Sequence, residues 1–67
     1  MLLIEIIKQN NLSKMQLALK AGISPADLYQ AINGKKPFFP SWRKRIAAVL
    51  NMSERELFPE YEKGKDE

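Results

Sequence analysis

Neither cysteine nor histidine occurs in this sequence, so the side chains able to do chemistry are eleven lysines and arginines, eight carboxylates and scattered amides and hydroxyls. Without thiols there are no disulfides or thiolate metal sites. Without imidazole the commonest metal ligand and the usual general base near neutral pH are missing, which excludes hydrolytic triads and zinc fingers. No nucleophile–base pair or metal cluster can be assembled from what remains, so the expectation is a protein that is not an enzyme and carries no cofactor. What is left is binding chemistry. Residues 1–50 hold eight cations against Glu5 and Asp27, net +6, while residues 51–67 hold Arg55, Lys63 and Lys65 against six carboxylates, net −3. A basic body of this size fits a nucleic-acid footprint or an ordinary solvated mixed surface.

Any such binding groups must be positioned by a very small fold. The chain has 67 residues, 45% of them hydrophobic, which is one globular domain. A domain this short buries only about 60% of its unfolded surface. It falls below the roughly 70–80 residues at which a lone core suffices, so added stabilisation by dimerisation is expected. Met1-Leu2-Leu3-Ile4 is interrupted by Glu5, far short of the 18 or so apolar residues of a membrane span. A basic leader and a small-residue cleavage site are both missing, and the expected location is the cytoplasm.

A helix-start pattern recurs three times: Leu12-Ser13-Lys14-Met15-Gln16-Leu17, Ile23-Ser24-Pro25-Ala26-Asp27-Leu28 and Met52-Ser53-Glu54-Arg55-Glu56-Leu57. In each, the serine hydroxyl can accept from an orphaned backbone N–H, and the acid or amide three residues on can reach back to the serine N–H. Pro25 supports the middle start, since proline suits the first helical position. Gly22, with its tolerance of positive φ, ends the helix begun at Ser13, and Asn33-Gly34 ends the next one. The connection is so short that the two helices are expected to pack at a steep angle. Trp42, Ile46, Val49 and Leu50 recur at helical spacing from Ser41 to about Asn51, with Arg43, Lys44 and Arg45 on the other side as a solvated face or a basic edge. Pro37-Phe38-Phe39-Pro40 reads as a non-helical connector whose aromatics plug the core. A short last helix carries Leu57 and Phe58. Leu2 to Gln9, ambiguous between strand and helix, is assigned as a first helix because a lone strand has no partner. The fold class is therefore all-α, with a domain over residues 1–58 and a charged tail over 59–67.

Lys14 to Asn33 carries the apolar, small and glycine positions of a helix-turn-helix, with Ala18 at the crossing and Gly22 at the turn. The longer stretch Leu12 to Leu57 (Leu-Ser, Leu-Ala, Ala-Gly-Ile-Ser-Pro, Leu-Tyr-Gln-Ala-Ile-Asn-Gly-Lys-Lys, Ile-Ala, Leu-Asn-Met-Ser, Glu-Leu) resembles the lambda-repressor-like family of Cro/repressor type. The likeness covers roughly residues 2 to 58. It implies a compact five-helix domain that binds double-stranded DNA as a homodimer and regulates transcription, commonly as a repressor. The helix after Ser24 would lie in the major groove with Pro25, Ala26, Tyr29 and Gln30 toward base edges. Gln30 is the best reader, since its amide can donate and accept against adenine, and Ala26 could meet a thymine methyl. Lys14, Gln16, Asn33, Lys35 and Lys36 would contact phosphates, while the spacing of Asp27 from Ser24 reads as a cap. The sequence departs from the family at Pro25, which offers no hydrogen bond, and at Ile7 and Ile32, where charged residues are common. Ile4, Ile7 and Ile32 are accordingly expected either to thicken the core or to form an apolar patch for self-association or a protein partner. The alternative function is a protein-interaction module on the same scaffold with little or no base readout.

Overall fold

Local capping chemistry sets where two of the described helices begin. In the computed structural model, which describes residues 2–62, Ser13 Oγ accepts from the Gln16 N–H at 3.0 Å while Gln16 Oε1 accepts from the Ser13 N–H at 2.9 Å. Ser53 and Glu56 close the same reciprocal box at 3.1 Å in each direction. The described residues form six helices and no strand: α1 (Leu2–Gln9), α2 (Lys14–Ala21), α3 (Pro25–Ile32), α4 (Pro40–Leu50), α5 (Glu54–Leu57) and α6 (Pro59–Glu62). None is long and apolar enough to cross a membrane. The radius of gyration, 11.3 Å, matches the roughly 11 Å of a packed chain this long.

Three local expectations are corrected. Ser24 makes no side-chain cap, and Asp27, expected to complete that box, pairs with Lys36 Nζ at 2.8 Å. A full opposite charge within reach outcompetes a neutral N–H as partner for the carboxylate. Pro40 is the first residue of α4 rather than part of the connector, because proline loses nothing at a position where the helix needs no N–H. Five helices were expected, and Pro59–Glu62 adds a sixth within the stretch read as tail. Its Tyr61 packs edge-on to Phe38 and Phe58, with ring centroids 6.3 and 6.0 Å away, and that aromatic contact outweighs the charge around it. The rest of the tail, residues 63–67, lies outside the described residues.

The core is a single apolar cluster with no buried polar side chain among the described residues: Leu3 and Ile7 of α1, Leu17, Ala18 and Ala21 of α2, Ile23 of the turn, Leu28 and Ala31 of α3, Phe38 of the connector, Ile46 and Ala47 of α4, Leu57 of α5 and Phe58 after it. Ile7 is thus a core residue and not part of an exposed patch, whereas Ile4 and Ile32 are half-buried. Helix α2 packs against both α3 and α4. Ala18 sits in its buried face with no accessible surface, as a small residue must for backbones to approach.

Gly22 turns the chain out of α2 with φ 70°, and its N–H and that of Ile23 reach back to Ala18 and Leu19 carbonyls. A methyl group added there would meet only Arg45 Nη1, at an ordinary 3.9 Å. The cost of Gly22→Ala is therefore backbone strain alone, about 1–2 kcal/mol. Urea unfolding followed by circular dichroism should show the midpoint falling by roughly 1–2 M at unchanged slope, given a slope near 1 kcal/mol/M for a small domain. An unmoved midpoint would mean that the left-handed turn is not what the glycine supplies.

Candidate nucleic-acid interface

Residues 26, 29, 30 and 33 share one side of α3 and its end, by the three- and four-residue spacing of a helix. The opposite side of α3 is anchored by Leu28 and Ala31, at 0% and 3% exposure. Ala26, Tyr29, Gln30 and Asn33 are all exposed, so no part of the described chain covers that outer side; Pro25 is half-buried at its start. The family expectation places four side chains, Pro25, Ala26, Tyr29 and Gln30, toward bases. Three of them lie on this open surface, with Pro25 at its margin.

Lys14, the first residue of α2, comes alongside. It lines a recess of about 300 Å³ together with Tyr29, Ile32 and Asn33. A cation from α2, a phenol from α3 and the amide that caps α3 therefore border one recess. Gln16 is exposed one helical step on, but its Oε1 is committed to the cap, leaving its NH2 as the free donor.

Beyond α3 the chain folds back so that the Lys35 and Lys36 N–H groups donate to the Gln30 carbonyl at 2.8 and 3.3 Å, with Gly34 at φ 83° making the turn. Lys35 is exposed and forms no ion pair among the described residues. Lys36 differs, because its ammonium is held by Asp27 and both side chains are 39% exposed. That pair gains little stability at such exposure, but it halves the cationic character of the turn. Nothing in the sequence spacing singles out a partner nine residues away.

Of the three cations of α4, Arg43 belongs to neither a solvated face nor a basic edge. Its guanidinium lies over the Tyr61 ring, 4.6 Å from the centroid, and Nη1 donates to the Phe38 carbonyl. Its Nε faces Glu54 Oε1 at 3.8 Å without a hydrogen bond, and the side chain is only 12% exposed. Lys44 is exposed, and exposed Arg45 reaches the Gly22 carbonyl at 3.3 Å. Sequence reasoning missed Arg43 as an internal tie; the signal was an aromatic, Tyr61, placed just after a helix-starting proline.

No protein-family model matches the chain, and no match is found among curated proteins or solved structures.

Proposed function

We propose that this protein is a sequence-specific DNA-binding transcriptional regulator of helix-turn-helix, lambda-repressor-like type that docks α3 in the major groove. The observation that carries this reading is the uncovered outer side of α3, with Ala26, Tyr29, Gln30 and Asn33 exposed, Lys14 bordering it beside Tyr29 and Asn33, and exposed Lys35 on the turn that follows. A helix with its side chains is about 10–12 Å across, and the major groove is about 12 Å wide, so a rod held with one side free can enter it. Gln30 reads adenine through its paired donor and acceptor and Ala26 meets a thymine methyl. Tyr29 and Asn33 line the border with the backbone. Lys14, Lys35 and Lys36 neutralise phosphates and the Gln16 NH2 donates to one, which fixes register without carrying sequence information. The protein acts by occupancy, without catalysis.

A homodimer supplies what one domain this small lacks in affinity and stability. It would set two copies of α3 about 34–36 Å apart on a pseudo-palindromic site.

The test is titration of fluorescent random duplex DNA at low salt, followed by selection of bound duplexes from a random pool. Binding that weakens linearly in log–log coordinates with salt, at a slope of roughly −0.9 per neutralised phosphate, and a selected site with two-fold symmetry are expected. Absence of duplex binding at low salt overturns the proposal and favours a protein-interaction module on the same scaffold.

A further inference from the structure

Beside the Lys14–Tyr29 recess, and sharing both of those residues, lies a second and larger groove of about 360 Å³ between α1 and the start of α2. Its floor is the buried Ile7 with half-buried Ile4 and Leu12, and its walls are Met15 and Tyr29. Met15 is 51% exposed, and Leu19, one turn further along α2, is 67% exposed, so an apolar strip continues past the groove. Neither side chain contributes to the core, and an apolar strip that runs on from a groove, unlike singly scattered apolar residues, marks an interaction surface. Methionine at the wall also adapts its shape to what it meets.

The charges around this groove have one sign. Lys8 and Lys14 line it, and among the described residues no carboxylate does. We propose that the groove docks an amphipathic helix of another protein, apolar along one strip and acidic beside it, and that docking excludes DNA. The volume falls within the roughly 300–1,000 Å³ of sites that enclose a compact ligand. It suits two anchors spaced i, i+4 on a helix laid in a groove, with flanking carboxylates meeting Lys8 and Lys14. A second copy of this chain does not supply such a helix. Among the described residues, acidic α5 has its apolar Leu57 spent on the core at 1% exposure, acidic α6 has Tyr61 packed against Phe38 and Phe58, and α1 carries one carboxylate and one cation. Exclusion of DNA rests on the DNA-binding reading above, because it arises from Lys14 and Tyr29 serving both surfaces.

The test uses the full chain and a display library of 18-residue peptides. Leucine is held at i, i+3, i+4 and i+7, and the other positions are randomised over glutamate, lysine, serine and alanine. Selected peptides should be enriched in glutamate. Their binding, read by fluorescence anisotropy without DNA, should fall at least tenfold in Met15→Ser and in Lys8→Glu, and the latter loss should be recovered by lysine in the peptide. Circular dichroism of both variants checks that the fold is retained, as expected for exposed positions. Failure to enrich, enrichment without acidic bias, or equal binding to Met15→Ser overturns the docking site. So does concentration-dependent self-association that Met15→Ser abolishes, since the occupant is then a second copy. Adding labelled duplex to the peptide complex should displace the peptide, and a ternary complex overturns the exclusion. Peptide binding by a protein that binds no duplex retires the DNA reading and leaves the groove standing. Duplex binding with no peptide selected does the reverse.

Discussion

Phe38→Ala is expected to lower the melting temperature by about 15 °C or more, while Phe39→Ala next to it moves the melting temperature by only a few degrees. Phe38 is 1% exposed and lies tilted against Phe58 with ring centroids 5.1 Å apart. Removing a buried phenylalanine ring costs about 3–5 kcal/mol, and a 60–100-residue domain loses roughly 4–8 °C per kcal/mol. A chain of 67 residues has a total stability of only about 3–10 kcal/mol, so the loss is comparable with the whole. Two further ties act at the same place: the Phe38 N–H donates to the Tyr61 hydroxyl at 3.0 Å, and its carbonyl receives Arg43. Both are backbone groups and survive the substitution, so the fall measures the ring alone. Phe39 is 44% exposed and meets Trp42 edge-on at 4.7 Å, a contact worth about 0.5–1.5 kcal/mol beyond its area. Thermal melts by circular dichroism separate the two. A fall below about 4 °C for Phe38→Ala, roughly 1 kcal/mol at this size, would show that the cluster joining α4, α5 and α6 is not part of the cooperative core.

The contrast between these two phenylalanines marks how far the sequence was legible. Elements decided within one turn could be read. Ser13 and Ser53 cap as their own neighbours dictate, α1 spans Leu2–Gln9 as assigned, and Gly22 and Asn51 adopt left-handed conformations where helices stop. Features decided between distant segments could not. Asp27 has the spacing of a cap but prefers a charge delivered by the next turn, and Arg43 has the setting of a surface cation but is drawn under Tyr61 from a different helix. Phe38 and Phe39 are chemically identical and adjacent, so only the direction of entry into α4 decides which one faces inward. The outer side of α3 was readable because the spacing of Leu28 and Ala31 marks the inward side, and the family resemblance names Ala26, Tyr29 and Gln30 as the outward residues. The recess that joins Lys14 to Tyr29 was not, since it depends on how α2 sits on α3.

That division of roles on α3 leads to an expected difference between Gln30→Ala and Lys35→Ala on the proposed DNA interface. Both residues are exposed, and alanine keeps the Gln30 carbonyl that anchors the turn while favouring helix, so neither change should disturb the fold. Loss of a bidentate amide–adenine contact costs about 1–3 kcal/mol on the selected site, or roughly 5- to 150-fold in affinity, and leaves random duplex almost unaffected. Lys35→Ala weakens selected and random duplex by the same factor and makes the salt slope shallower by about 0.9, the signature of one phosphate fewer. Lys36→Ala removes the same unit of charge as Lys35→Ala, but its ammonium is already held 2.8 Å from Asp27 and is less available to a phosphate, so the salt slope should become shallower by less than for Lys35→Ala. Anisotropy titrations on both duplexes at three salt concentrations measure all of these quantities. Equal losses on both duplexes for Gln30→Ala would move base recognition off α3, and an unchanged slope for Lys35→Ala would take that lysine away from the phosphates.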